Sequence, residues 1–243
     1  MTGSNYQSWL KKDEEWIGAY CSRVRKNSIQ KVVPLTLLLF ILVFGGMALL
    51  GGGVEELLTG VIGGLVFGLI ITAFYLAILL VNLRAGRYVH KIEQSVKELS
   101  VEEMEREILG KEMLEALESE KQVLSYQMVG PNSKETPARV ILTPHYILQE
   151  GSTPYAVLVR LSDIAEIKIE SERKMAVTHG ANSKTYHHLT LYTLGFYRKD
   201  RFERGLAESD LPDYAMGFFQ KDLRDKVAQM LKNNELRVTY PEA

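Results

Sequence analysis

Four of the five histidines, His145, His179, His187 and His188, lie in the C-terminal part of the chain, where acid–base or metal chemistry would be sought first. A metal site needs ligands converging to about 2.0–2.2 Å of one ion. Adjacent strand residues such as His187 and His188 point to opposite faces and cannot chelate together. The sequence holds no His-Glu-x-x-His pattern, and its single cysteine, Cys21, is far along the chain from most of the histidines. One cysteine also excludes an intramolecular disulfide. There is no Gly-x-Ser-x-Gly elbow and no glycine-rich loop ending in Lys-Ser or Lys-Thr. The residues give no catalytic constellation, so the expectation is a protein that is not an enzyme and has no cofactor and no metal.

The densest basic stretch is Arg198, Lys199, Arg201 and Arg204, interleaved with Phe196, Tyr197 and Phe202. Near an anionic surface each such cation contributes about 1 kcal/mol. Asp200 and Glu203 dilute the stretch, and alternating charges at the end of a strand read first as a solvated face, with headgroup contact as the second reading. Single-strand nucleic-acid readers need a clear positive groove beside their aromatics, and a chain with 29 basic and 30 acidic residues supplies none, so no nucleic acid is expected as a partner. Trp9 and Trp16 are the second candidate set for headgroup contact, because indoles favour the interfacial layer.

What must position these residues is dominated by residues 32–83. Two uncharged blocks, 32–54 and 57–83, flank Glu55-Glu56. At about 1.5 Å per helical residue they reach about 34 and 40 Å, each enough for a hydrocarbon core of about 30 Å. A transmembrane helical hairpin is the expectation. Between Val32 and Leu83 the polar side chains are Thr36, Glu55, Glu56, Thr59, Thr72, Tyr75 and Asn82, mostly near the ends. A transport or proton pathway needs an ionisable group near the midplane, so the hairpin reads as an anchor. Gly60, Gly64, Gly68 and Thr72 recur every four residues and cut a smooth groove for helix packing, against the first span or against another protein. Arg23, Arg25, Lys26 and Lys31 precede the hairpin, and Arg84, Arg87 and Lys91 follow it. That bias puts both termini on the cytoplasmic side of the cell membrane.

The remainder divides into residues 1–31, an amphipathic membrane-proximal helix; 84–121, a helical acidic connector; and 122–243, a β domain. The first carries Trp9, Trp16, Ile17, Tyr20 and Val24 at helical spacing and is expected along the bilayer surface or docked on the protein's own domain. In the connector, Leu83–Leu99 continues the second span, and Ser100 with Glu103 forms a capping box for a helix over 101–121. Glu102–Glu120 has eight Glu against Arg106 and Lys111, so the segment is expected either to pack its apolar side (Met104, Ile108, Leu109, Met113) on protein rather than on an anionic bilayer or to be a solvated charged helix joining two parts. From Gln122, six or seven β-rich runs separated by turn residues predict an antiparallel sandwich or small barrel, closed by an amphipathic helix over 222–233.

The run Arg139-Val140-Ile141-Leu142-Thr143-Pro144-His145-Tyr146-Ile147-Leu148, followed by Leu161-Ser162-Asp163-Ile164-Ala165-Glu166-Ile167, resembles the bacterial PH-like (pleckstrin-homology-like) domains, and the outline with a helical hairpin resembles the YcxB-like membrane proteins. The resemblance covers about half the chain and departs from the usual arrangement in the helix before the hairpin and the acidic helix before the β domain. It implies a binding module and transfers no functional residue. The fold class expected is therefore an α+β membrane protein with a two-helix hairpin, an N-terminal amphipathic helix and a PH-like β-barrel or sandwich capped by a C-terminal helix. Its expected role is a non-catalytic, membrane-anchored scaffold whose partners are the lipid bilayer and an unidentified protein, with homo-oligomerisation left open. The alternative is an accessory subunit of a membrane transport or secretion complex, assembling through the Gly60/Gly64/Gly68 face.

Overall fold

The structure is a computed structural model that describes residues 4–129, 135–151, 156–179, 184–203, 211–234, 236 and 238–239. In chain order the elements are α1 (Asn5–Asn27), a π-helical turn (Ser28–Val32), α2 (Val33–Gly52), α3 (Val54–Asn82), α4 (Ala85–Glu98), α5 (Glu103–Leu117), β1 (Val123–Val129), β2 (Glu135–Leu142), β3 (Tyr146–Gly151), β4 (Val157–Arg160), β5 (Ile164–His179), β6 (Lys184–Arg198), α6 (Lys199–Glu203), β7 (Tyr214–Phe218), α7 (Lys221–Asn233) and β8 (Val238–Thr239). They form two compact units, Glu14–Arg87 and Met1–Asp13 with Tyr88–Ala243.

The smaller unit is an antiparallel helical hairpin. Pro34 has no N–H to bond the preceding turn and its ring crowds that turn, and the π-turn immediately before α2 is where the backbone widens to admit it. The turn between α2 and α3 is a single residue, Gly53, at φ +74°, a conformation that side chains disfavour. Glu55 and Glu56 therefore sit in the first turn of α3, where acids suit the positive end of the helix, rather than between the helices. Second-helix continuity also ends earlier than expected: Leu83, at φ −99° and ψ 40°, breaks the helix before α4.

In the larger unit, β1–β4 form one four-stranded antiparallel meander, and the second sheet has the order β7-β6-β5-β8. Neither closes into a barrel, so of the two β arrangements expected from sequence the stacked one is present. The second sheet is not wholly antiparallel, because β8 joins β5 in parallel at Ile167↔Val238. Two runs read as separate strands, 164–169 and 175–178, are one long strand, β5. Among the described residues β7 pairs with β6 only from Tyr192 to Phe196, so beyond it β5 and β6 continue as a two-stranded ribbon to His179↔Lys184.

The middle of the meander is buried on both faces, which explains the consecutive apolar residues Val140-Ile141-Leu142, Tyr146-Ile147-Leu148 and Val157-Leu158-Val159. Val140, Leu142, Ile147 and Val159 enter a core shared with Ile167, Leu194, Phe196 and Phe218 of the second sheet and Val227 and Leu231 of α7. Their strand neighbours Ile141, Leu148 and Leu158 point the other way, into a second core made with Trp9 and Leu10 of α1, Ile92 and Val96 of α4, and Leu109 and Met113 of α5. The acidic helix thus packs on the domain that follows it, leaving Met104 and Ile108 exposed. Its cap lies two residues later than expected. Ser100 adopts a left-handed φ of 51°, and Glu102 is the N-cap, donating its N–H to Glu105 Oε2 at 3.4 Å.

The start of α1 is fastened to α5 by close backbone approach. A Cβ on Gly110 would stand 2.4 Å from the backbone N and Cα of Tyr6, and the Asn5 N–H donates to Glu107 Oε2 at 2.9 Å. In a Trp16→Phe background, Gly110→Val should undock this segment. The expected readout is a red shift of Trp9 fluorescence at a temperature where the parent is folded; an unchanged spectrum would contradict the packing.

Candidate functional site

The glycine groove of α3 is occupied by α2. A Cβ on Gly60 would meet Phe44 O at 2.6 Å and Ala48 Cβ at 2.5 Å; on Gly64 it would meet Phe40 O at 2.6 Å. At Gly68 the nearest atoms belong to side chains, Leu37 Cδ2 at 3.2 Å and Phe40 Cβ at 3.3 Å. Gly64, Gly68 and Thr72 are buried, and Phe67 closes one flank edge-on to Phe40 at 5.3 Å between ring centroids. This close approach of backbones lets the two helices pack along the whole groove. The groove is an internal seam of the hairpin.

The expected headgroup residues scatter. Trp9 is fully buried in the second core with Tyr6 and Leu10, so its indole has no face to offer a membrane: the docked arrangement of the start of α1 is the one present. Trp16, in the other unit, is half-buried. The basic stretch straddles the end of β6 and the short α6. Arg201 donates to the Leu211 carbonyl at 2.5 Å and lies over the Tyr197 ring at 5.6 Å, so the fold has already engaged it. Burial and the adjacent Glu170 carboxylate, to which its hydroxyl donates at 3.2 Å, push the Tyr197 phenol up to about 12. Arg198 faces Asp200 at 3.2 Å, and Lys199 is exposed. Arg204 and the side chain of Phe202 lie outside the described residues, as do the side chains of His179 and His187. His188 is exposed, and His145 Nδ1 lies 2.5 Å from Glu112 Oε1 of α5. Among the described residues no three His, Cys, Asp or Glu side chains gather to hold a metal ion.

Two features escape a reading of motifs. The first is a buried charge cluster on the helix-covered face of the meander. Arg139 and Glu150 are direct cross-strand partners on β2 and β3, and Arg139 donates Nε to Glu150 and Nη2 to Asp13 of α1. All three are almost completely buried. Burial pushes both carboxyls up; the neighbouring Glu150 charge raises Asp13 further, well above the usual range, while Arg139 pulls both back. With one cation facing two acids, one added proton brings the cluster to neutrality. The sequence did carry a signal: Asp13 stands four residues after Trp9 and four before Ile17, on the apolar side of α1, and Arg139 and Glu150 interrupt otherwise apolar strands.

The second is a cleft of about 660 Å³ walled by Lys91, Ser95 and Glu98 of α4, Val157 and Leu158 of β4, and Tyr214 of β7. Both strands are sheet edges. Ser95 donates its hydroxyl to the Ala156 carbonyl at 2.7 Å, tying α4 along the β4 edge. Since β7 lacks a clear period in the sequence, no spacing argument could have found this cleft.

Gly64→Ala should separate α2 from α3 and cost about 1–3 kcal/mol, measured as unfolding of the full chain in mixed micelles, whereas Gly68→Ala, whose added Cβ comes no nearer than 3.2 Å to any atom of α2, should cost less. Equal costs would contradict the seam. Arg139→Met should cost about 3–5 kcal/mol, because it strands two buried acids. A carboxyl raised on folding binds its proton more tightly in the folded state, so its contribution is fullest below the unfolded value of about 3.9 and is lost as pH rises through the folded one. Asp13→Asn, which mimics the protonated acid, should therefore flatten the fall in denaturation midpoint with rising pH above about 4; an unaltered slope would show that Asp13 is ionised throughout.

No protein-family model and no curated protein matches this chain, so its function rests on the residues and their geometry.

Proposed function

We propose that this chain is a membrane-anchored binding module in which α2 and α3 cross the cell membrane as a hairpin and hold a folded, non-catalytic head at its cytoplasmic surface. The observation that carries the reading is where the apolar side chains are. Both helices are long and apolar enough to span, and only 6% and 17% of their most apolar stretches are buried. A core helix of a water-soluble protein hides such a surface; here Leu42, Met47, Leu50, Phe74 and Ile78 all face outward. The basic flanks Arg23, Arg25, Lys26 and Lys31, with Arg84, Arg87 and Lys91, favour cytoplasmic termini and an outside Gly53 turn.

The head supports a PH-like reading: a four-stranded meander, three further consecutive strands in a second sheet, and a C-terminal helix whose Val227, Ala228 and Leu231 enter the core between the sheets. The helices α1, α4 and α5 on the outer face of the meander are additions to that outline. Assembly of a larger complex through the Gly60/Gly64/Gly68 face is disfavoured by its occupation within the hairpin.

Alkaline carbonate extraction of membranes expressing the full chain should leave it in the pellet. In a Cys21→Ala background, Gly53→Cys should react with an impermeant maleimide added outside intact cells, and Ser162→Cys should react only after lysis. Release into the supernatant would overturn the anchor, and the reverse labelling would overturn the orientation.

A further inference from the structure

We infer that the inner end of the hairpin binds anionic phospholipid, whose headgroups are held by Arg23, Lys26 and Lys31 and whose acyl chains lie on Phe74, Ile78 and Val81. This deepens the membrane-anchored reading and rests on it.

The register of the helices sets cations and apolar side chains at one depth. Gly68 of α3 lies against Leu37 of α2, and Gly64 against Phe40. Past the start of α2 the pairing continues along α1: Tyr75 donates its hydroxyl to Ser28 Oγ at 3.2 Å, and a Cβ on Gly18 would stand 3.7 Å from Ala85 Cβ. Residues 75–85 therefore run beside residues 18–28. The two apolar helices also differ in length, α2 having 20 residues and α3 29. From the Gly53 turn α2 reaches about 30 Å, the thickness of a hydrocarbon core, and α3 goes on for about 14 Å more. Phe74, Ile78 and Val81 lie in that excess, and all three are exposed. Apolar surface beyond the core must be met by tilting or by hydrocarbon drawn up to it.

The charges select the occupant. Arg23, Lys26 and Lys31 are exposed and make no ion pair among the described residues. On the head, by contrast, the exposed Lys12, Lys111 and Lys174 each have an acid at 3.6, 3.8 and 3.0 Å. The sequence has no acid from Trp16 to Val54 or from Leu57 to Ile92. Glu15, the last acid before Arg23, is eight residues earlier, about 12 Å along the helix. Unpaired cations level with bare apolar side chains match an amphiphile with a negative headgroup. A free anion would leave Phe74 and Ile78 uncovered, and a zwitterionic lipid would bring an ammonium group to a site already positive.

The test places the full chain in phosphatidylcholine vesicles with a trace of spin-labelled phosphatidylglycerol or spin-labelled phosphatidylcholine and compares the motionally restricted fraction of each. Both leaflets are alike, so the orientation of the chain does not enter. Phosphatidylglycerol is expected to associate about threefold or more strongly than phosphatidylcholine. The preference should vanish in Arg23→Gln with Lys26→Gln and Lys31→Gln, and persist in Lys121→Gln with Lys221→Gln and Lys226→Gln, which takes the same charge from the head. Soluble glycerol phosphate in large excess should displace nothing. In a Cys21→Ala background, a fluorophore on Ile78→Cys should be quenched more by chain-labelled phosphatidylglycerol than by chain-labelled phosphatidylcholine. Equal association of the two lipids, a preference that both triple variants keep or both lose, displacement by glycerol phosphate, or equal quenching at position 78 would each overturn the inference. Restriction of neither lipid would overturn the anchor as well, so the two readings fail in different ways.

Discussion

Apolar side chains on α2 and α3 face outward along the length of both helices, and water receives such a surface only at a large free-energy cost. Everything else about the hairpin follows from that constraint. A surface of this kind is stable in hydrocarbon, where helices gain little by hiding leucine from lipid and associate instead by shape. The backbone contacts of Gly60 and Gly64 with Phe40 and Phe44 supply that shape. The single-residue turn at Gly53 keeps the two helices antiparallel and close enough for the seam to form along its whole length.

The head obeys the opposite rule. Its meander is covered on both sides, by the second sheet and α7 on one face and by α1, α4 and α5 on the other, so consecutive residues such as Val140 and Ile141 serve different cores. Within the helix-covered core lies the Asp13–Arg139–Glu150 cluster. Burying three charged groups costs more than their mutual attraction alone returns, and that burial is what pushes both carboxyls up while Arg139 pulls them back. The cluster ties α1 to β2 by charge geometry, beside the packing of Trp9 and Leu10.

The hairpin, its groove, β1 and the last helix were legible because each has a strong period: the four-residue glycine repeat, the alternation in Val123–Val129, and the i, i+4 spacing in α7. The docking of Trp9 was not, since an amphipathic helix offers the same face to a bilayer and to a protein. Strand merging in β5 and the parallel addition of β8 depend on partners far along the chain, which local patterns do not encode. The cleft is a property of two edges meeting, visible only once the sheet order is known.

The central claim, that lipid receives α2 and α3, is tested most directly by spin labels at Leu42 and Phe74 of the full chain in lipid vesicles, compared with one at Lys97. The account predicts that relaxation at Leu42 and Phe74 is dominated by oxygen, which partitions into hydrocarbon, and at Lys97 by a water-soluble nickel chelate. Equal access of the chelate to all three positions would contradict it.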